Sequence, residues 1–293
     1  MAAAKGHLEV VYELIEKGAS VNKAGGPGEK PLWMAARAGN LEVVQVLLEK
    51  GVDLRQADKC DALWIVARSG HLDVVRVLVE KGVDVQQADK YGTLCIAARE
   101  GHLKLVRTLV EKGANVNQAN RLGESPLWIA AKEGQAEVVR VLVENGANVD
   151  QANDCGETAL WIAAKEGHFE VVRALEVMEA DVQQANKDGE TPLWIASKEG
   201  KEGMVRVLVE KGANVDQAND CGETPLWIAA KGGQAEVVWV QKRYKRARAI
   251  VDQANDCGEM PLWIAAKEGH FEVVREDGPE LELLDSIVLW RWR

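Results

Sequence analysis

The chain lacks the features that would place it outside the cell, in a membrane or among enzymes. Its five cysteines show no paired spacing, which suits a reducing compartment better than a disulfide framework. No apolar run approaches the ~20 residues needed to span a bilayer. The opening segment MAAAKGHLEVVYELIEKG has neither the basic stretch nor the apolar core of a signal peptide, and no N-x-S/T acceptor occurs. These absences point to an intracellular protein, cytoplasmic or nuclear. A basic balance is missing too. The 36 Lys and Arg against 46 Asp and Glu give a net charge of −10, which argues against overall attraction to nucleic acid or anionic membranes. What remains, 47% hydrophobic and 28% charged residues over 293 positions, is ample for a folded core.

Tryptophan is what the chain has in plenty. ETPLWIA stands at 190–196 and 223–229, with ESPLWIA at 124–130 and EMPLWIA at 259–265. The leucine of these segments and their weaker copies falls at Leu32, Leu63, Leu94, Leu127, Leu160, Leu193, Leu226 and Leu262. The gaps are 31, 31, 33, 33, 33, 33 and 36 residues. A truncated ninth copy precedes them, because AAAKGHLEVVYELIEKGASVN at 2–22 matches AAKEGHFEVVRALEVMEADVQ at 163–183. In the copy that starts at Gly189, Thr191 reads as a helix N-cap and Pro192 as the first helical residue, where a missing N–H costs nothing. A short helix runs through Ala196 and ends before Gly200. A second carries the stripe VRVLVE (205–210), and Gly212 suits a left-handed cap. The connection NVDQANDCGE then forms an extended finger. Each copy is too small to bury its own apolar face and must stack on its neighbours. The reading is one elongated repeat domain over 1–275 and a tail at 276–293.

The pattern TPLW.AA..G followed by G(H)xEVVRVLVEKGANV resembles the ankyrin repeat, at that family's 33-residue spacing. The resemblance implies an all-α fold with short β-hairpin fingers, an ankyrin-type helical repeat solenoid of about nine stacked repeats. It also implies a monomeric, non-catalytic scaffold or adaptor for protein–protein interaction. One departure concerns the slot after TPL. The family usually has a histidine there, associated with a hydrogen bond to the motif's threonine. This chain has Trp33, Trp64, Trp128, Trp161, Trp194, Trp227 and Trp263, with Cys95 as the exception, so the local network must differ. Rings on neighbouring helices about 8–10 Å apart form either an aromatic surface for ligands or bases, or a packing ladder whose indole N–H groups find carbonyls. Packing is preferred, since the slot belongs to the motif that builds the fold.

The same period disperses the usual catalytic residues. All five histidines (His7, His71, His102, His168, His270) share the inter-helix turn, and Cys60, Cys155, Cys221 and Cys257 share the finger. Metal ligands must converge within ~2.3 Å of one ion, and a disulfide needs Cα atoms within ~7 Å. Residues copied once per repeat do neither. No nucleophile–base pair gathers in one place, and AGGPGEK (24–30) lacks the spacing of a phosphate loop and reads as an irregular finger. The expectation is no enzyme, no cofactor and no metal.

Irregularities carry the remaining information. The fingers before Ala62 and Thr93 are two residues short, and Glu179 replaces the capping glycine at a cost of about 1 kcal/mol. The segment VWVQKRYKRARAIV (238–251) replaces a regular second helix and carries the basic run Lys242 to Arg248. That run reads as a degenerate repeat, or else as a nuclear-import signal or a site for an acidic partner. The tail reads as a capping helix, with a membrane-surface Trp/Arg segment as the alternative.

By the resemblance, partners contact the finger tips and the exposed side of the first helix, which line a concave face. In the earlier repeats those positions are Lys59, Lys90, Tyr91, Arg121 and Leu122 at the tips, with Arg37, Arg68, Arg99 and Lys132 on the helices. Tyrosine and arginine dominate many interfaces, and a basic strip on an acidic protein steers an acidic protein partner. A binder of nucleic acid or another anionic ligand, using the basic finger residues and the run at 242–248, is the alternative function. The net acidity disfavours it.

Overall fold

The protein is described here by a computed structural model at residues 1–23, 30–52, 59–83, 85, 92–244 and 252–275. Residues 24–29, 53–58, 84 and 86–91 (with Lys90 and Tyr91), residues 245–251 and the tail 276–293 lie outside the described residues. The chain divides into two compact units, Met1–Asn153 and Asp154–Arg293.

Each unit is built of helix pairs. In the N-terminal unit the first helices are Ala2–Lys5, Pro31–Arg37, Lys59–Ser69, Thr93–Arg99 and Pro126–Lys132. Their partners are Leu8–Glu16, Leu41–Glu49, Leu72–Glu80, Leu103–Glu111 and Ala136–Glu144. The C-terminal unit repeats the arrangement with first helices Ala159–Glu166, Pro192–Lys198, Pro225–Lys231 and Pro261–Glu268. Its second helices are Phe169–Val177, Glu202–Glu210, Ala235–Tyr244 and Phe271–Arg275. Within a unit, first helices pack on first helices.

Helix starts follow the local chemistry. Ser125, Thr158, Thr191 and Thr224 each accept a hydrogen bond from the backbone N–H three residues on, at 3.1–3.2 Å, and proline follows in all but Thr158. That satisfies one otherwise orphaned donor per helix. The copy KCDALW has no such Thr-Pro start, and its helix extends back to Lys59. Lys59 and Cys60 therefore lie in a first helical turn rather than at a finger tip, a correction to the sequence reading. Second helices bury a valine–leucine stripe, as at Val138, Val139, Val141 and Leu142.

The fingers are turns rather than strands, and no described residue is in a β-strand. In one of them Asn186 donates its N–H to the Glu190 carbonyl at 3.0 Å. Its side-chain oxygen accepts from the N–H groups of Asp188 and Glu190 at 3.0 and 2.9 Å, and its amide donates to the Glu190 carboxylate at 2.9 Å. Asn120, Asn219 and Asn255 repeat this pattern. A single closing bond makes no ladder. The side-chain turn takes over the work expected of a hairpin.

Repeats are joined by polar staples. Asn117 donates its amide to the Gly146 carbonyl at 3.1 Å, and its oxygen accepts from Asn148 N–H at 2.7 Å. Gln183 does the same with Gly212 and Asn214 at 2.8 and 3.1 Å. The inter-helix histidines are staples as well. His71 Nε2 lies 3.2 Å from the Arg37 carbonyl and His102 Nε2 3.4 Å from the Arg68 carbonyl. Each satisfies a C-terminal carbonyl of the preceding first helix. A Cβ on Gly39 would meet the His71 ring at 2.5 Å, so this turn admits only glycine.

Two irregular positions of the C-terminal unit prove to be matched pairs. The helix Ala235–Tyr244 covers the first part of the segment read as degenerate, where Val237, Val238 and Val240 keep the buried stripe. Gln241 takes the place of the usual leucine, is 0% exposed, and donates to Ser197 Oγ at 2.6 Å. Ser197 itself stands where the other copies have alanine. Phe169 lies against Gly203, where a Cβ would meet its ring at 2.9 Å. In the helix Phe169–Val177 the usual Val-Glu order is inverted, which buries Glu176 and exposes Val177. Glu179 is the non-glycine residue with left-handed backbone among those described, at φ 62°.

Candidate functional site

Three copies of the tryptophan slot share one specific packing network. Trp161, Trp194 and Trp227 are between 1% and 2% exposed. Their indole N–H groups donate to the carbonyls of Glu190, Glu223 and Glu259 in the next finger, at 2.9, 2.9 and 2.8 Å. Each ring thus joins its own first helix to the following repeat.

The basic residue at the end of the same helix lies over the ring. Lys132, Lys165, Lys198, Lys231 and Lys267 sit 4.7–5.4 Å from the ring centres of Trp128, Trp161, Trp194, Trp227 and Trp263. Arg68 sits 6.0 Å from Trp64. Cation–π attraction and the negative end of the helix dipole both favour a cation here. The lysine also reaches back to the finger glutamate of its own repeat, at 3.9 Å for Lys231–Glu223 and 2.9 Å for Lys267–Glu259. Lys267, by donating to Glu259, holds that carboxyl below its usual range. Glu190 moves the other way, because burial pushes it up more than Asn186, Lys198 and Lys165 pull it down. Copies of one residue therefore differ in proton affinity according to burial and to how closely a lysine approaches.

Arg37, Arg68, Arg99 and Lys132 occupy the last turns of successive first helices, all exposed, and those helices pack side by side. Cys95 stands in the tryptophan slot before Arg99, so no indole lies beneath that guanidinium. Arg121 and Leu122 are exposed in the finger held by Asn120, with Leu122 at 63%. Lys59 belongs to a helix start, and Lys90 and Tyr91 lie outside the described residues. Sequence reasoning missed the bridging role of His71 and His102. Their recurrence directly after the inter-helix glycine was the available signal.

In the C-terminal unit a cleft of about 630 Å³ opens between two fingers and the first helices Pro192–Lys198 and Pro225–Lys231. Among the described residues no group of three or more His, Cys, Asp or Glu converges to hold a metal ion. No described helix is long and apolar enough to cross a membrane.

Capped helix pairs, stapled turns and Asn-locked fingers at a 33-residue period coincide with a family model described as ankyrin repeats (3 copies), which matches residues 1–89, 94–186 and 175–245. The chain belongs to the ankyrin repeat family. No curated protein matches it. Ankyrin repeats generally mediate protein–protein interaction and are typically non-catalytic. At Trp161, Trp194 and Trp227 this ankyrin chain carries its own hydrogen-bond network in that slot. The threonine hydroxyl accepts the tryptophan backbone N–H, and the indole N–H goes to the next finger.

Proposed function

We propose that this protein is a non-catalytic scaffold of about nine stacked ankyrin repeats over residues 1–275, with 276–293 as a cap. Its partner docks on the finger and first-helix face of the N-terminal unit. The observation that carries this reading is the exposed row Arg37, Arg68, Arg99 and Lys132, one cation per repeat on adjacent helices, with Leu122 exposed in the finger that precedes the Lys132 helix. A row of one sign on an acidic chain favours an acidic protein partner and fixes its orientation on encounter. Lys90 and Tyr91 hold the corresponding finger positions in the sequence. A reducing compartment accords with five cysteines that show no paired spacing along the chain.

Photo-crosslinking amino acids at Arg99 and Leu122, compared with Arg107 and Glu111 on the second helix, test the face. Discrete protein adducts are expected from the first pair alone, and Arg68→Glu with Arg37→Glu should abolish them without changing the melting profile. Adducts from the second helix alone, or adducts indifferent to the two charge reversals, would overturn the assignment.

A further inference from the structure

Neighbouring fingers of the C-terminal unit touch through backbone bonds, and the residues at those bonds differ. Lys187 donates its N–H to the Cys155 carbonyl at 3.0 Å, and Asp256 donates to Cys221 at 3.1 Å. Asp220 donates to Asp188, also at 3.1 Å. Only this last contact, among the three, joins two aspartates, and both line one cleft. It arises because the finger Asn186–Glu190 reads Lys-Asp where its neighbours read Asp-Cys. Both aspartates are exposed, and no described lysine or arginine forms an ion pair with either.

These two aspartates line the 630 Å³ cleft together with Glu190, Glu223 and the lysines Lys198 and Lys231. Those lysines are already engaged. Lys198 lies 5.2 Å from the centre of Trp194, and Lys231 lies 4.9 Å from Trp227 and 3.9 Å from Glu223. With four carboxylates against two lysines, the cleft carries net negative charge next to the side of an indole and the stems of two lysines. The whole unit leans the same way. Residues 1–153 carry 19 basic and 20 acidic side chains, whereas 154–293 carry 17 and 26. Nearly all of the chain's net charge of −10 lies in the second unit.

We propose that this cleft docks an extended basic segment of a protein partner, with an arginine seated between Asp188 and Asp220. The inference shares with the proposed function the reading that finger and first-helix faces are docking surfaces, but it concerns the other unit and the opposite charge. Arginine suits the site better than lysine. Its planar fork of five donors can bond two carboxylates at once and is weakly hydrated, whereas an ammonium acts as a point charge. The spacing of repeats sets the next contact. Helices of adjacent repeats lie about 8–10 Å apart, and three residues of extended chain advance about 10 Å. A second basic side chain three positions along the segment then reaches Asp256, the next finger's carboxylate, which lies against Gly222. The recognised pattern is Arg-x-x-Arg/Lys in an extended segment.

Fluorescence anisotropy of the intact chain at physiological salt tests this with three alanine-based peptide probes. One has two arginines three positions apart, one has them adjacent, and one has glutamates in place of the arginines. The first should bind tightest and the glutamate peptide not at all. Asp188→Asn/Asp220→Asn should weaken the first peptide at least tenfold. Glu170→Gln/Glu202→Gln, which removes the same charge from second helices, should weaken it less than twofold. Bound peptide should also slow maleimide labelling of Cys221, which lines the cleft. Equal weakening by both charge pairs would reduce the binding to general attraction and overturn the site, as would no binding by any peptide. If Asp188→Asn/Asp220→Asn changes nothing while the Arg99 and Leu122 crosslinks persist, only the cleft fails. Lost crosslinks with intact peptide binding sink only the N-terminal face.

Discussion

Exchanging Glu176 and Val177 should stabilise the protein, although the change only restores an order found elsewhere in the chain. The corresponding pairs Val143-Glu144 and Val209-Glu210 place a half-buried valine inward and an exposed glutamate outward. In the helix Phe169–Val177 the order is reversed. The Glu176 side chain is 5% exposed, its Oε1 is buried without a hydrogen-bond partner, and Val177 is 82% exposed. Removing a buried unsatisfied oxygen recovers about 1–3 kcal/mol. Half-burying a valine adds about 1 kcal/mol. Against this stands the contact of Glu176 with Lys211 at 3.6 Å. The lysine is half exposed, so losing that contact costs at most about 1 kcal/mol. The net gain for Glu176→Val/Val177→Glu is about 2 kcal/mol.

The pH dependence gives a second handle on the same group. Burial holds the Glu176 carboxyl above its ordinary value of 4.5, outweighing Lys211 and Arg173. A raised pKa means that the native state binds the proton more tightly than the unfolded chain. The protonated form is therefore the favoured one in the fold. That stability is present below pH ~4.5 and lost as pH rises through the raised pKa. The advantage of the exchanged variant should be largest at pH 7, shrink as pH falls through the raised pKa, and level off below pH ~4.5. Hydrogen exchange over 169–177 reads the local effect, and a denaturant midpoint reads the global one. A variant less stable than the parent at pH 7 would refute the reasoning, because the Lys211 pair would then outweigh the burial cost. A gain of equal size at pH 7 and pH 4 would refute the electrostatic part alone.

Other perturbations test other links in the same chain of argument. Trp161→Ala should cost about 3 kcal/mol or more, as large aromatic truncations in cores do, without affecting peptide or partner binding beyond the loss of folded protein; a stable variant that had lost its ligand would return the slot to recognition. Glu179→Gly should gain about 1 kcal/mol by relieving the left-handed strain, whereas Glu179→Ala should gain nothing, and equal gains in both would place the cost in the side chain. Ser197→Ala leaves the Gln241 amide buried without its partner and should cost about 1–3 kcal/mol. Adding Gln241→Leu to it should recover most of that loss, and a thermodynamic cycle with no coupling between the two would mean that the 2.6 Å contact is energetically empty.

The sequence by itself determined the repeat, the helix starts and the spacing. Those depend on chemistry within a few residues of chain: a threonine hydroxyl three residues from an N–H, a proline that needs no donor, a glycine that can turn left-handed. The basic residues at the ends of the first helices were legible for the same reason, since a position fixed modulo one repeat has a fixed place on a helix. Only the tertiary structure decided what each repeat does to the next. Two fingers at 33-residue spacing do not announce that Asp188 will meet Asp220, because the contact joins non-equivalent positions of neighbouring copies. Gln241 looked like a defect until Ser197 was found beside it, 44 residues away in sequence. His71 and His102 looked like turn residues until the carbonyls of the preceding repeat appeared at their ring nitrogens. Periodicity specifies the surface each copy presents, whereas the stacking register decides which atoms of the neighbouring copy that surface meets.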